Sequence, residues 1–388
     1  MTLRLALFFL LSGTVFAAMA QVPEKIHGKN KRLMPNAYYV EQVGLWRAEV
    51  AKEPRNAEAW YNCYRASRNA YIKGDEQENK DSRGTGRFVR LQGIVDSMAV
   101  RVPESFEFHH VRWMNGYGDA GLLPYLQRAN AMAPQRPEPY LDLVAHYELT
   151  GEDSLRRATC AAYLKLSDYS PGLLNYGRNL LAGLAPNAIL LTHGDKDTEA
   201  VWLLQCGPGL RTDVQLLNLD LLLRQDYRER QFQRLGIAPL AVDPLSSDAA
   251  FAEYQAHIIA HIAGNSANRP VEVSLSVEGP YTAGVQEALH VTGLSYRYST
   301  APFNNWLDLY ANYYNHYDLD YLRAPYTPDI SQGNVREFNA HYLPSLMALC
   351  EGLNRASAWD GEYRFREMVA RVRRDAECEA EFQRSYGR

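Results

Sequence analysis

This sequence predicts an all-α region, then a small α/β domain, then a helical tail. Three observations carry that reading. Helical periodicity with proline and glycine punctuation runs from about 36 to 185. Short apolar runs bounded by tight turns occupy 186–300, and helical periodicity returns over 301–388. Of the 388 residues, 46% are hydrophobic and 22% charged, the composition of a folded globular chain. A net charge of −4 gives no support to a nucleic-acid partner or an anionic membrane surface.

The first residues, "MTLRLALFFLLSGTVFAAMAQ", carry Arg4, an apolar run from Leu5 to Leu11 and a small-x-small site at Ala18-Met19-Ala20. That pattern predicts a signal peptide over 1–20 and an exported chain, periplasmic or secreted, that is soluble from about Gln21. The apolar run is shorter than the roughly 20 residues a spanning helix needs, and no later segment predicts a membrane span. "VPEKIHGKNKRLMP" then reads as a basic linker over 21–35. Five widely spaced cysteines (Cys63, Cys160, Cys206, Cys350, Cys378) contain no CxxC. In an oxidising compartment they allow one or two disulfides, with Cys63, Cys160 and Cys350 placed in apolar helical runs as buried thiols.

Within 36–185 two stretches share a design: "PRNAEAWYNCYRASRNAYIKGD" and "PQRPEPYLDLVAHYELTGED". A proline opens each turn, Glu58 or Glu138 falls in the first helical turn, Trp60 or Tyr140 begins an apolar stripe, and a glycine closes it. Helices over 37–52 and 119–132 fit as their partners. Pro54 and Pro134 lie 80 residues apart and Pro171 follows after 37, near multiples of helix-pair repeats. The layout resembles divergent tetratricopeptide-type (TPR-like) repeats, with "YLDLVAHYELTGED" the best match. "GDEQENKDSRGTG" (74–86) predicts an exposed interruption.

In 186–300, "NAILLTH", "DVQLLNLDLLL" (213–223), "RPVEVSLSV" (269–277) and "LHVTGLSYRYS" (289–299) predict four strands. "DTEAVWLLQCG" and "DAAFAEYQAHIIAHIAGN" predict helices between them. A strand, a glycine-bearing turn, a helix and a second strand make a βαβ unit of a parallel, Rossmann-like sheet. Ligands of such sheets sit beyond the C-terminal strand ends. That edge would gather His193, Asp195, Lys196, Asp197 and Thr198 after the first strand, Asn218 and Asp220 after the second, and Glu278 after the third. Converging carboxylates suit sugar hydroxyls or a divalent cation, the one cofactor this pattern suggests. The plainer account is that Asp195 or Asp197 caps the helix and Gly194 serves only the turn.

Other chemistries are disfavoured. GxGxxG, GxxxxGK[ST] and GxSxG are all absent, which argues against a nucleotide-phosphate cradle and an α/β-hydrolase elbow. His257 and His261 stand i,i+4 but lack the glutamate of HExxH, and His109 and His110 point to different sides of a helix, so both pairs read as structural. Trp306, Tyr310, Tyr313, Tyr317 and Tyr321 recur at steps of 4, 3, 4 and 4 and predict one helical stripe. It would be either a buried aromatic face or a platform for a glycan or peptide beside the acidic crevice.

"ILLTHGDKDTEAVWLLQCGPGLRTDVQLLNLDLL" resembles a soluble segment of multi-spanning membrane proteins related to protein O-mannosyltransferases. The segment carries a strand, "GDxDT", a helix with "WxLQ", then "G-[IVL]-R-x-DV" and a strand with "VNL". Gly194-Asp195, Asp197-Thr198, Trp202 to Gln205, Gly209-Leu210-Arg211, Asp213-Val214 and Asn218-Leu219 match in order. "HVTGLSYRYS" and "CEGLNRA" (350–356) resemble later parts, so the resemblance spans about 190–356. With no spanning segment in this sequence, it implies a shared extracytoplasmic domain rather than a shared transferase activity, and it gives Asp195 and Asp197 no catalytic role.

Two functional classes follow as expectations. One is an exported, non-catalytic adaptor or binding protein that engages a polypeptide or glycan through the concave repeats, the 193–198 loop and the tyrosine-rich helix. The other is an enzyme acting on carbohydrate or glycoprotein with paired acids among Asp195, Asp197, Asp220 and Glu278. A scaffold without a ligand is the third reading.

Overall fold

The computed structural model describes residues 22–71, 85–116, 118–240, 248–266, 268–277, 279–323 and 330–385. The expected signal peptide, most of the 74–86 interruption and Glu278 lie outside the described residues. No helix among them is long and apolar enough to cross a membrane.

The N-terminal half is helical: α1 (Asn36–Lys52), α2 (Ala57–Asn69), α3 (Thr85–Arg101), α4 (Phe106–Met114), α5 (Leu123–Met132), α6 (Tyr140–Thr150), α7 (Asp153–Lys165) and α8 (Pro171–Ala182). Local chemistry sets the ends. The Asn56 side chain accepts from the Ala59 N–H and Ser105 from the Phe108 N–H, so both act as N-caps. Pro171 opens α8, and Gly151, at φ +80°, closes α6 in the left-handed conformation. Consecutive helices pack on each other, α1 on α2, α4 on α5 and α6 on α7, as a helix-pair pattern predicts. Glu138 differs from expectation. It precedes α6 and pairs with Arg136 at 2.9 Å instead of sitting in the first helical turn.

The next part holds β1 (Ile189–Thr192), α9 (Lys196–Cys206), β2 (Gln215–Asn218), α10 (Gln225–Leu235), α11 (Asp248–Asn265), β3 (Val271–Ser274), β4 (Leu289–Val291) and β5 (Ser295–Tyr298). The five strands run in the order β2-β1-β3-β5-β4. β1 lies parallel to β2, with Thr192 opposite Asn218, and parallel to β3. β5 is antiparallel to both β3 and β4, so the sheet is mixed and not purely parallel.

The run 289–299, expected as one strand, is a hairpin that turns at Thr292-Gly293-Leu294. A Cβ on Gly293 would stand 2.0 Å from the Tyr317 hydroxyl and 2.8 Å from the Asn312 amide, so only glycine lets the turn pass there. The 213–223 run also ends early. After Asn218 the chain breaks into a short 3₁₀ turn, Leu221–Leu223, because Asn218 Oδ1 accepts from the backbone N–H groups of Asp220 and Leu221.

The sheet is covered on both faces. Ile189, Leu191, Leu217, Val271 and Val273 pack with Tyr254, Ile258 and Ile262 of α11. Leu190 and Leu216 pack with α8, α9 and the C-terminal helices. The period-two pattern of "VEVS" therefore marks two buried faces. Glu272 is fully buried, bonded to Arg297 at 3.1 Å, to the Ser295 hydroxyl at 2.6 Å and to the Ala185 N–H at 2.9 Å.

The helical tail comprises α12 (Trp306–Ala311), a π-type turn over Asn312–His316, α13 (Asp320–Arg323), α14 (Gln332–Asn339), α15 (Leu343–Arg355) and α16 (Trp359–Ser385). It packs on α8 and shares a core with it through Val335, Phe338, Tyr342 and Leu346. The aromatic stripe is broken. The Asn312 side chain donates to the Thr292 carbonyl, the helix widens, and Tyr317 leaves it in an extended conformation.

Two tethers knit these parts. Arg211 donates to the carbonyls of Leu181, Leu184 and Ala185 at 2.7–3.1 Å and pairs with Asp213, whose other oxygen accepts from the Asn187 N–H. Arg211→Ala would leave the Leu184 carbonyl unpaired and the Leu181 and Ala185 carbonyls with only long backbone bonds, so chemical denaturation should show a loss of about 2 kcal/mol. No change would mean that solvent replaces the guanidinium.

The second tether is the segment expected as a basic linker, which lies packed across the molecule. The Glu24 N–H donates to Gln42, the Ile26 N–H to Asn62, and Lys31 pairs with Asp168. Asn334 of α14 donates to the carbonyls of Lys29 and Asn30.

Candidate functional site

The helical half, the C-terminal edge of the sheet and this N-terminal strap enclose a cavity of about 1050 Å³. Its sheet-side wall is built by the 193–199 loop. Gly194, at φ +79°, turns the chain out of β1. The Asn218 amide donates to the Gly194 carbonyl and to the Thr198 hydroxyl, both at 2.9 Å, and the Thr192 and Thr198 hydroxyls meet at 2.7 Å. The Gly194 N–H donates to Asp220 at 3.1 Å. The "GDKDT" stretch is thus fixed by the polar groups at the ends of β1 and β2, which sets where its acids point.

Asp195 and Glu199, four residues apart at the start of α9, both face the cavity, and Trp202 follows one turn on. Asp197 faces the opposite way. It is fully buried, accepts from the Thr198 N–H at 2.8 Å and from the Ser276 hydroxyl, and does not line the cavity. Neither acid caps α9 in the expected manner, since the Asp195 side chain makes no capping bond.

The acids divide in their proton affinity. Burial, then the charge of Asp195, pushes Glu199 well above the usual carboxylate range. Burial, then Asp142 and Asp220, also raises Asp195. This side chain is water-accessible, but only within a concave space walled by other acids. For Asp220 burial acts upward, yet the hydrogen bond and charge of His193, with the Gly194 N–H and Gln255, bring it below its ordinary value. His193 stands 3.3 Å from Asp220 and packs on the Tyr281 ring, centroids 4.3 Å apart.

The helical wall contributes Asp142 of α6, which accepts from the Trp113 indole at 3.1 Å and lies 3.6 Å from His110 Nε2. His110 Nδ1 in turn meets the Tyr61 hydroxyl at 2.7 Å. At the strap the charge reverses. His27 is lowered to about 4 by burial and by the surrounding Lys25, Arg65, Lys31 and Arg32. Three deeply buried polar atoms on the lining, Glu199 Oε2, Ser170 Oγ and His110 Nε2, have no protein hydrogen-bond partner. Buried polar atoms without partners, facing one cavity, mark where a ligand or solvent completes the structure.

Of the residues the sequence singled out, Asp195, Thr198, Asn218 and Asp220 come together on this cavity. His193 stands behind Asp220, and Glu278 lies outside the described residues. The tyrosine-rich segment does not line the cavity. Trp306 packs over Gly352, Tyr310 stacks on Tyr314 at 4.3 Å, Tyr313 bonds Ser345 at 2.6 Å and the Tyr317 hydroxyl accepts from the Leu294 N–H at 3.0 Å.

Glu199, Ser170, Trp113 and Asp142 were not singled out by the sequence, His110 was read as structural, and Trp202 entered only through the resemblance. The i, i+4, i+7 spacing of Asp195, Glu199 and Trp202 was a usable signal. The others depend on tertiary packing. His257 is exposed, and His261 bonds the Ala238 carbonyl at 2.7 Å. Among the described residues no three His, Cys, Asp or Glu side chains are disposed to hold a metal ion.

Residues 173–254 match a family model described as TMEM260-associated domain 2. The matched span runs from α8 through β1, α9, β2 and α10 into α11. It therefore carries Asp195, Glu199, Trp202 and Asp220, while the strap, His110, Asp142 and β3–β5 lie outside it. No curated protein matches the chain.

Proposed function

We propose that the chain is an exported, soluble binding protein that holds a glycan in the cavity between its TPR-like repeats and its sheet domain. The observation that carries this reading is the set of orphaned buried atoms of Glu199, Ser170 and His110 around one cavity of about 1050 Å³. Saccharide sites combine aromatic surface with carboxylates and hydroxyl partners, and Trp113, Trp202, Asp195, Asp220 and Asn218 supply both. The upward shift of Glu199 favours its protonated form, which both donates and accepts, as a sugar hydroxyl does. The cations at the strap favour an acidic group on that ligand, such as a uronate. The resemblance to the O-mannosyltransferase-related membrane proteins agrees with an extracytoplasmic, sugar-handling setting.

A second reading rests on a separate observation, the raised Glu199 and Asp195 beside a lowered Asp220. Carboxylates pushed apart in this way suit general acid and base roles in glycoside cleavage or transfer.

A panel of neutral and acidic oligosaccharides and short peptides, titrated against the full chain, separates these readings. Saturable saccharide binding without turnover is expected. Glu199→Gln and Asp195→Asn should each weaken it at least tenfold without lowering the melting temperature. Binding that survives both substitutions removes the cavity from the proposal. Turnover abolished by Glu199→Gln would establish the enzyme instead.

A further inference from the structure

We propose that Cys160 and Cys206 are the partners of an intramolecular disulfide that clamps α7 to the end of α9. Cys160 lies near the middle of α7 with no exposed surface, and Cys206 is the half-buried last residue of α9. The two helices pack together, and the Cys206 side chain packs on the core cluster that contains Cys160. The two thiols are within hydrogen-bonding reach of each other, whereas Cys63, Cys350 and Cys378 belong to α2, α15 and α16.

The pair is also chemically unequal. A thiolate at Cys206 accepts the Cys160 hydrogen bond and is favoured by Arg156 and Arg157, which lowers this thiol against the opposing effect of burial. The hydrogen bond to Cys206, then burial, pushes Cys160 up. Cys206 is the attacking sulfur because it is the one of the two that solvent reaches, Cys160 being fully buried.

The oxidant is a disulfide, either a small-molecule disulfide or that of a thiol–disulfide oxidoreductase. The Cys206 thiolate attacks one of its sulfurs, forming a mixed disulfide and expelling one thiolate. Cys160 then loses its proton, attacks the Cys206 sulfur and releases the second thiol. Two protein thiols are oxidised and one external disulfide becomes two thiols. The bond would fix Tyr163 of α7 against Glu199 and Trp202 of α9, all on the cavity lining, so the oxidised chain would hold a more rigid site.

The test treats the reduced, folded full chain with oxidised glutathione, followed by alkylation and peptide mapping without reduction. The expected result is one linked peptide pair, Cys160 with Cys206, the other three thiols alkylated, and a melting temperature raised by about 5 °C. Cys160→Ser should trap glutathione on Cys206, and Cys206→Ser should leave Cys160 unmodified. Linkage through any other cysteine would overturn the assignment. So would a stable glutathione adduct on Cys206 of the unsubstituted chain, two thiols that resist oxidation, or a linked form that melts lower than the reduced one.

Discussion

Replacing Arg297 by alanine is expected to cost about 3–5 kcal/mol of unfolding free energy, because it strands a carboxylate in the middle of the sheet. Glu272 has no solvent exposure, and Arg297 is the only cation within salt-bridge distance of it among the described residues. The Ser295 hydroxyl and the Ala185 N–H still donate to it, but neither carries charge. Arg297 also reaches Asp308 at 3.2 Å, a pair open enough to water to contribute little. Asp308→Asn should therefore cost under about 1 kcal/mol. Glu272→Gln in the Arg297→Ala background should recover part of the loss, since it removes the stranded charge. Urea unfolding of these three variants beside the unsubstituted chain decides the matter. A loss near 1 kcal/mol for Arg297→Ala would mean that neutral donors suffice.

Asp197 gives the second large effect, and it depends on pH. Burial raises its carboxyl from 3.8 to about 6 despite the bonds from Ser276 and the Thr198 N–H. The folded chain therefore binds this proton more tightly than the unfolded chain. The resulting contribution is fully present below about pH 4 and is lost as pH rises through 6, in total about 3 kcal/mol. Glu199 and Asp195 act in the same direction. Asp197→Asn cannot titrate and keeps an oxygen for the Thr198 N–H, so its stability should fall less between pH 4 and 7. Parallel stability–pH curves for the two proteins would show that Asp197 is ionised in the fold throughout.

These residues show what the sequence made legible. The apolar runs "ILLT" and "QLLN" were readable as neighbouring parallel strands because a glycine turn and one amphipathic stretch separate them. Their C-terminal ends do gather Asp195, Thr198, Asn218 and Asp220. The face each acid takes was not readable, because it follows from where α9 begins. With Lys196 as the first helical residue, positions 195 and 199 share one side and 197 takes the other. The tyrosine periodicity was real, but a side-chain amide bond at Asn312 interrupts the helix that periodicity assumed. His110 and Asp142 lie 32 positions apart on separate helices, with no spacing rule to connect them.

The strap has a consequence for how this molecule can be taken apart. Residues 22–34 touch α1 and α2 at one end of the sequence and α14 and α16 at the other, through Asn334 and Gln383. A fragment ending near 185 would expose half a pocket and release the peptide that roofs it, and one starting near 186 would lack the opposite half. The cavity is a property of the closed circuit between the two termini. It exists only when the last helices are docked and the first residues lie across them.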